Sequence, residues 1–277
     1  MSNENLENSH ETEKSTPFDE EFGMKESDYL KTLERGINVI KSFQHAPHLT
    51  ISESAKICGL SRPVTRRVLL TLQKLGYATS RDGKFSLTPR MLSLGYSYLF
   101  SLNIWETATP SLEALSEKIQ ESSSLCKLDD TEVVYVARVP VNKIMSHSLA
   151  IGTRLPAYAT SMGKVLLAYS TNEQIDRYFQ KAELKPFTDK TIIEEEKIRE
   201  ELKNIRQNGW AFSRDQLEIG LMSIAAPVRD VRGEVVAAVN CSTHSGRSSR
   251  EKVEKEFLPL LLEAAESISK SIDFEIF

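Results

Sequence analysis

The chain has 277 residues, 40% of them apolar and 27% charged, which is more than one domain usually holds and predicts two domains of unequal size. No apolar run approaches the roughly eighteen residues that a membrane span needs. The opening from Met1 to Glu13 is polar and acidic, without the apolar stretch of a secretory signal. Cys58, Cys126 and Cys241 are scattered with no CxxC spacing, which argues against a disulfide framework or a zinc site. A cytoplasmic protein with no membrane partner, no metal and no cofactor is therefore predicted.

The whole-chain charge of −4 is unevenly spread. Residues 1–30 carry two Lys/Arg against nine Asp/Glu, residues 31–90 carry eleven against three, and the remainder twenty-two against twenty-seven. A basic block of about sixty residues inside an acidic chain is the electrostatic footprint of a nucleic-acid contact.

Residues 1–28 lack periodicity and carry few aliphatic side chains, so an acidic disordered tail is predicted. From there Leu33, Ile37, Ile40 and Phe43 recur at helical spacing. Thr50-Ile-Ser-Glu53 is a capping box opening a second, short helix that ends at Gly59. Ser61 is predicted to cap a third helix through Leu75, with Val64, Val68, Leu69 and Leu72 on its apolar face. Tyr77 to Ser80 and Lys84 to Leu87, joined by Arg81-Asp-Gly83, read as a hairpin with a primed turn. Two short helices and a hairpin make a winged helix-turn-helix over residues 29–90.

Pro89 to about Gln120 reads as helix, with Leu92, Leu94, Tyr98, Leu99, Leu102 and Trp105 in a wide apolar stripe. Residues 91–121 are therefore assigned as linker helices that either meet a second subunit or pack on their own domain. Residues 122–277 form the second domain. Its predicted elements are strands at Glu132–Ala137 and Ile144–Leu149, helices at Gly163–Tyr169 and Glu194–Asn208, apolar strands at Met222–Val228 and Val235–Cys241, and an amphipathic helix from Ser249. Hairpin-linked strands without a repeated strand-helix-strand rhythm imply a mixed α/β domain, not a doubly wound one. The fold class is α+β.

In the third helix, Ser61, Arg62, Val64 and Thr65 are placed to meet base edges, with Arg66 and Arg67 beside them. Arg81 and Lys84 at the wing tip would meet phosphates or the minor groove. The competing reading is a solvated basic face on a three-helix bundle that binds protein.

These residues, with Leu33-Glu-Arg-Gly-Ile37 in the first helix, Gly59-Leu-Ser-Arg62 at the turn and Gly76-Tyr77 entering the wing, resemble the IclR family of transcription regulators. The resemblance spans about residues 30–272. In the second domain the run from Ile151 to Ala168 is similar to that family's ligand-domain signature. Its Pro-Ala-Tyr-Ala-Thr-Ser-Met-Gly form resembles the subgroup that controls breakdown of protocatechuate and 4-hydroxybenzoate. The resemblance implies a GAF-like effector domain, a small aromatic acid effector, a double-stranded DNA operator, a homo-oligomer built from dimers, and RNA polymerase as a further candidate partner. It leans towards activation.

A pocket for a small carboxylate needs donors on a concave, mostly apolar surface. Thr160-Ser-Met-Gly163 offers hydroxyls and backbone N–H groups where a helix begins. The resemblance makes this loop, with Thr160, Ser161 and Met162, the anion cradle. It also implies ligand contacts from Ile144 and His147 on a facing strand, Leu155 before the loop, Asp215, and Leu221, Ser223, Asn240 and Ser242 on later strands. Ser161 and Met162 are bulkier than the family's usual residues there. From the residues alone, His147 reads as a structural histidine before a ligand contact, Thr160 as a helix cap, and Asp215 as a partner of Arg214 or of a turn amide. Arg138 and Arg154 could each grip a carboxylate or sit in surface salt bridges.

Two rival functions are a repressor answering to a different organic acid and a small-molecule hydrolase using Ser161, His147 and Asp215. The second has no Gly-x-Ser-x-Gly elbow, HExxH or P-loop behind it, and a non-enzyme is predicted.

Overall fold

In the computed structural model the described residues are 25–101, 104–141 and 149–271. They group into two units, one ending at Gly95 and the other beginning at Tyr96.

The first unit contains α1 (Lys31–Ser42), β1 (Leu49–Thr50), α2 (Ile51–Cys58), α3 (Arg62–Lys74), β2 (Ala78–Arg81) and β3 (Lys84–Leu87). The predicted capping box forms. The Thr50 hydroxyl accepts from Glu53 N–H at 3.2 Å, and the Glu53 carboxylate accepts from Thr50 N–H at 2.8 Å, satisfying donors at the start of α2. The hairpin pairs Ala78 with Leu87 through Arg81 with Lys84. Asp82 and Gly83 take φ of 52° and 76°, both positive as a primed turn requires. β1 adds to β3 and completes a three-stranded sheet. Val39, Leu69, Leu72, Ala78 and Phe85 form the core.

Two details depart from the sequence reading. Leu33 and Ile37 are 62% and 44% exposed, because the core side of α1 is Val39 and Ser42. Ser42 can sit there because its hydroxyl donates to the Val39 carbonyl and shares a 3.0 Å bond with Ser54 on α2. Ser61 stands at the start of α3 but its side chain caps nothing. Instead its carbonyl accepts from both the backbone N–H and the hydroxyl of Thr65.

The helical stretch after Pro89 is two helices, α4 (Leu92–Ser101) and α5 (Ile104–Ile119). Leu102 and the side chains of Leu99 and Trp105 lie outside what is described. The second unit continues with β4 (Ser122–Asp129), β5 (Glu132–Val139), β6 (Arg154–Pro156), α6 (Ser161–Ala168), α7 (Asn172–Lys181), α8 (Glu195–Asn208), β7 (Ala211–Arg214), β8 (Leu221–Arg229) and β9 (Val235–His244). A terminal helix begins as α9 (Arg250–Lys252), passes a π turn at Val253–Phe257 and continues as α10 (Leu258–Ser271). The strand predicted at Ile144–Leu149 falls mostly outside the described residues. The helix α7, absent from the elements predicted above, opens on a Thr171-x-x-Gln174 capping box.

All six strands pair antiparallel, in the order β6-β5-β4-β9-β8-β7. Side chains alternate between faces along each strand. Val239, Cys241, Ile224 and Leu125 meet Ala108, Leu112 and Leu115 of α5 and Leu261 and Ile268 of α10. The other face packs Ala238, Ala225, Cys126 and Tyr135 against Val165 and Leu167 of α6 and Ile198, Leu202 and Ile205 of α8. Thus α5 belongs to this domain's core, and a three-layer helix–sheet–helix stack results. Truncating the fully buried Leu69 to Ala in the smaller core is expected to destabilise the first unit by about 2–5 kcal/mol, read by urea unfolding.

Candidate functional site

In the first unit, α3 turns Ser61, Arg62, Arg66 and Arg67 to solvent, and the wing exposes Arg81 and Lys84. Arg62 and Arg66, four residues apart, share one helix face. Among the described residues, none of Arg62, Arg66, Arg67 and Lys84 is in an ion pair, so their charge is open to phosphate. Arg81 faces Asp82 at 3.7 Å with its side chain 94% exposed, a pairing too solvated to compete with DNA. Val64 is half-buried. Thr65 is a correction to the predicted base-reading set: it is fully buried and its hydroxyl is spent on the Ser61 carbonyl. Arg66→Ala is expected to weaken operator binding by about 1–3 kcal/mol where it meets a base. Thr65→Val should leave operator affinity unchanged in the same gel-shift titration at fixed salt.

In the second unit a cleft opens between the start of α6 and the sheet. Its cavity volume is about 40 Å3, well below the roughly 300–1,000 Å3 typical of small-molecule sites. It brings together Leu155, Thr160, Ser161, Met162, Leu221, Ser223, Asn240 and Ser242 of the predicted set. Ile144 and His147 lie outside the described residues. Asp215 does not line the cleft. At φ 58° it folds its carboxylate back to accept from Gly220 N–H at 2.6 Å, with Arg214 at 3.2 Å, so both turn roles read for it from sequence are realised.

The loop owes its shape to two contacts. The Thr160 hydroxyl accepts from Gly163 N–H at 3.1 Å and caps α6. Gly163 lies so close to the preceding turn that a Cβ would stand 2.3 Å from the backbone of Ala157. Ser161 then reaches across to Ser223 on β8, oxygen to oxygen at 2.8 Å. The floor is a cross-strand row of hydroxyls, with Ser213 paired to Ser223 and Ser223 to Ser242. Beside it Asn240 is 5% exposed, and its Oδ1 has no hydrogen-bond partner among the described residues. Burial holds the Tyr135 phenol well above its usual range, so it lines the wall as a neutral hydroxyl. Gly163→Ala should destabilise the second unit by about 1–3 kcal/mol as an overpacked site, seen as a lowered urea midpoint.

Sequence reasoning missed Tyr135, Leu149, Ala159, Ser213, Gln216 and Leu217, which also line the cleft. Tyr135 and Ser213 follow from strand parity once the buried face is known, while Gln216 carries no local signal. Of the two arginines, Arg154 is a surface ion pair, 2.6 Å from both Asp129 and Glu132. Arg138 is half-buried and donates to the Ser124 hydroxyl at 2.9 Å. Among the described residues no group of His, Cys, Asp and Glu could hold a metal, and no helix is long and apolar enough to cross a membrane.

A basic winged helix-turn-helix beside a domain with a small-molecule cleft defines a one-component transcription regulator. Family comparison is specific: the IclR helix-turn-helix domain model matches residues 32–82, and the bacterial transcriptional regulator IclR C-terminal model matches residues 96–270. The chain belongs to the IclR family of transcription regulators. It is 40% identical over 243 residues to the Pca regulon regulatory protein of Pseudomonas putida, covering 87% of this chain and 84% of that one. It is 34% identical over 251 residues to the p-hydroxybenzoate hydroxylase transcriptional activator of Acinetobacter baylyi, covering 88% and 93%. An IclR homolog of Microbacterium hydrocarbonoxydans, solved with 4-hydroxybenzoate, superposes with a TM-score of 0.77 at 25% identity, covering 87% and 99% of the two chains. Its relatives are regulators of transcription, and the chain is one of them and not an enzyme.

Proposed function

We propose that this regulator senses a small aromatic carboxylate, protocatechuate or 4-hydroxybenzoate, and thereby activates genes for aromatic acid breakdown. The observation that carries the reading is the cleft. Leu149, Leu155, Met162, Leu217 and Leu221 supply apolar walls for a ring, and the Ser213, Ser223 and Ser242 hydroxyls with Asn240 supply polar partners for its substituents. Similarity to a p-hydroxybenzoate hydroxylase transcriptional activator and to an IclR homolog solved with 4-hydroxybenzoate supports it. Thr160, Ser161 and Met162 would form the cradle, with Asp215 holding the turn behind it.

The response is a linkage: an effector shifts DNA affinity only by as much as it prefers one conformation over the other. A homo-oligomer fits this use, because two recognition helices read two half-sites. The exposed Leu30, Leu33, Ile37, Leu92 and Leu94 of the first unit, 44–76% accessible, are apolar surface of the kind that self-association covers. Activation brings RNA polymerase in as a further partner.

Isothermal titration of the purified protein with protocatechuate, 4-hydroxybenzoate and unrelated aliphatic acids tests the effector. Saturable binding confined to the aromatic acids, accompanied by altered gel-shift affinity for the operator, is the expected result. Indifference to both aromatic acids, or binding that leaves operator affinity and transcription in vitro unchanged, would overturn the proposal.

A further inference from the structure

The first unit does not neutralise its own surface. Residues 31–90 carry eleven Lys/Arg against three Asp/Glu, and α3 itself holds three arginines and Lys74 with no acidic residue. Two of those three carboxylates are committed locally: Glu53 closes the capping box of α2, and Asp82 sits beside Arg81 at the wing tip. Arg62, Arg66, Arg67, Lys74 and Lys84 are exposed, and among the described residues none of them is in an ion pair. Like charges gathered on one helix and one turn repel one another, and such a surface draws any anion within reach.

The same chain supplies one. Residues 1–24 contain seven Asp/Glu against one Lys, and they join the described part of this unit at Lys25, just before α1. Twenty-four residues reach at most about 80 Å, whereas a unit of about seventy residues has a radius of gyration of about 11 Å. Length therefore lets the segment meet any part of the basic surface. Tethering keeps its carboxylates at an effective concentration in the millimolar range there, and at 0.1 M salt the attraction acts over a Debye length of about 10 Å.

We infer that the acidic segment, residues 1–24, is a second occupant of the DNA-reading face: without DNA it docks its carboxylates on Arg62, Arg66, Arg67, Lys74 and Lys84, and a bound duplex displaces it. The segment is the weaker ligand of the two. Duplex DNA carries one charge about every 1.7 Å along its axis, far denser than seven carboxylates in twenty-four residues, so DNA wins and the segment sets a threshold. A face occupied about 70–90% of the time has an apparent affinity roughly three- to tenfold below its intrinsic one. Specific and non-specific duplexes must both displace the segment, so both are weakened by the same factor. The inference rests on the DNA-reading face and is independent of the effector that the second unit senses.

The test compares the full-length chain with a full-length variant in which all seven carboxylates of residues 1–24 become their amides, Glu→Gln and Asp→Asn. Fluorescence anisotropy at about 50, 100 and 200 mM salt follows binding to an operator duplex and to a scrambled duplex of equal length. The variant is expected to bind both roughly three- to tenfold more tightly at the lowest salt, with the gain shrinking as salt screens the segment from the face. A synthetic peptide of residues 1–24 at millimolar concentration should reverse the gain, and its amide-substituted counterpart should not. Without DNA, a zero-length carbodiimide should link carboxylates of residues 1–24 to Lys74 or Lys84 in the wild-type chain, and a saturating duplex should suppress those links. Equal affinities of the two chains at every salt concentration, or the absence of those links, overturns the inference. Repulsion of DNA from a distance would tighten binding by the variant without producing links, so that pair of results also counts against docking. If neither chain binds either duplex, the DNA-reading face is itself overturned, and this inference with it.

Discussion

The second unit depends on the parity of an antiparallel sheet covered by helices on both sides. Each strand must send alternate side chains to opposite layers, and a shift of one residue would exchange every one of them. On β9, Val239 and Cys241 go to the α5–α10 layer while Ala238 goes to the α6–α8 layer. Asn240 and Ser242 share the parity of Ala238. They stand on the same face of the sheet at the end where α6 begins, and there the layer opens into the cleft. The polar floor of the cleft and the apolar core of the domain are thus two ends of one alternation.

That alternation would close over without the loop before α6. Thr160 caps the helix, and Gly163 lets the chain pass against the backbone of Ala157 where any larger residue would collide. The helix start is thereby pressed down towards the sheet, close enough for Ser161 to meet Ser223. The buried Lys164 ties the same helix sideways to α8 and to Gln216. Packing, capping and a buried ion pair converge on one short segment.

The DNA-reading unit is organised differently. Its core is small, with Val39, Leu69, Leu72, Ala78 and Phe85 at the centre, and its basic residues project outward from a single helix and a tight turn. Position along the helix decides role: Arg62 and Arg66 face solvent, while Thr65 between them is sealed inside. A one-residue rotation separates an exposed arginine from a core residue.

Local signals carried much of this molecule. The charge block, the Thr50–Glu53 capping box, the Asp-Gly turn and the Thr160 cap depend on neighbours within a few residues, and so were legible in the chain and met in the structure. The run from Ile151 to Ala168 likewise marked the loop that borders the cleft. Other features depend on which distant residues come to lie opposite. Leu33 and Ile37 have the right helical spacing for a core, yet Val39 and Ser42 take it because Ser54 on α2 lets the helices close there. Gln216 gained its place only when a lysine fifty-two positions earlier was buried against it. Periodicity and capping are properties of sequence neighbours, so the chain determined them by itself; the choice of face, the burial of Thr65 and Lys164, and the polarity of the cleft wall arise from packing between remote segments, and only the tertiary structure could decide them.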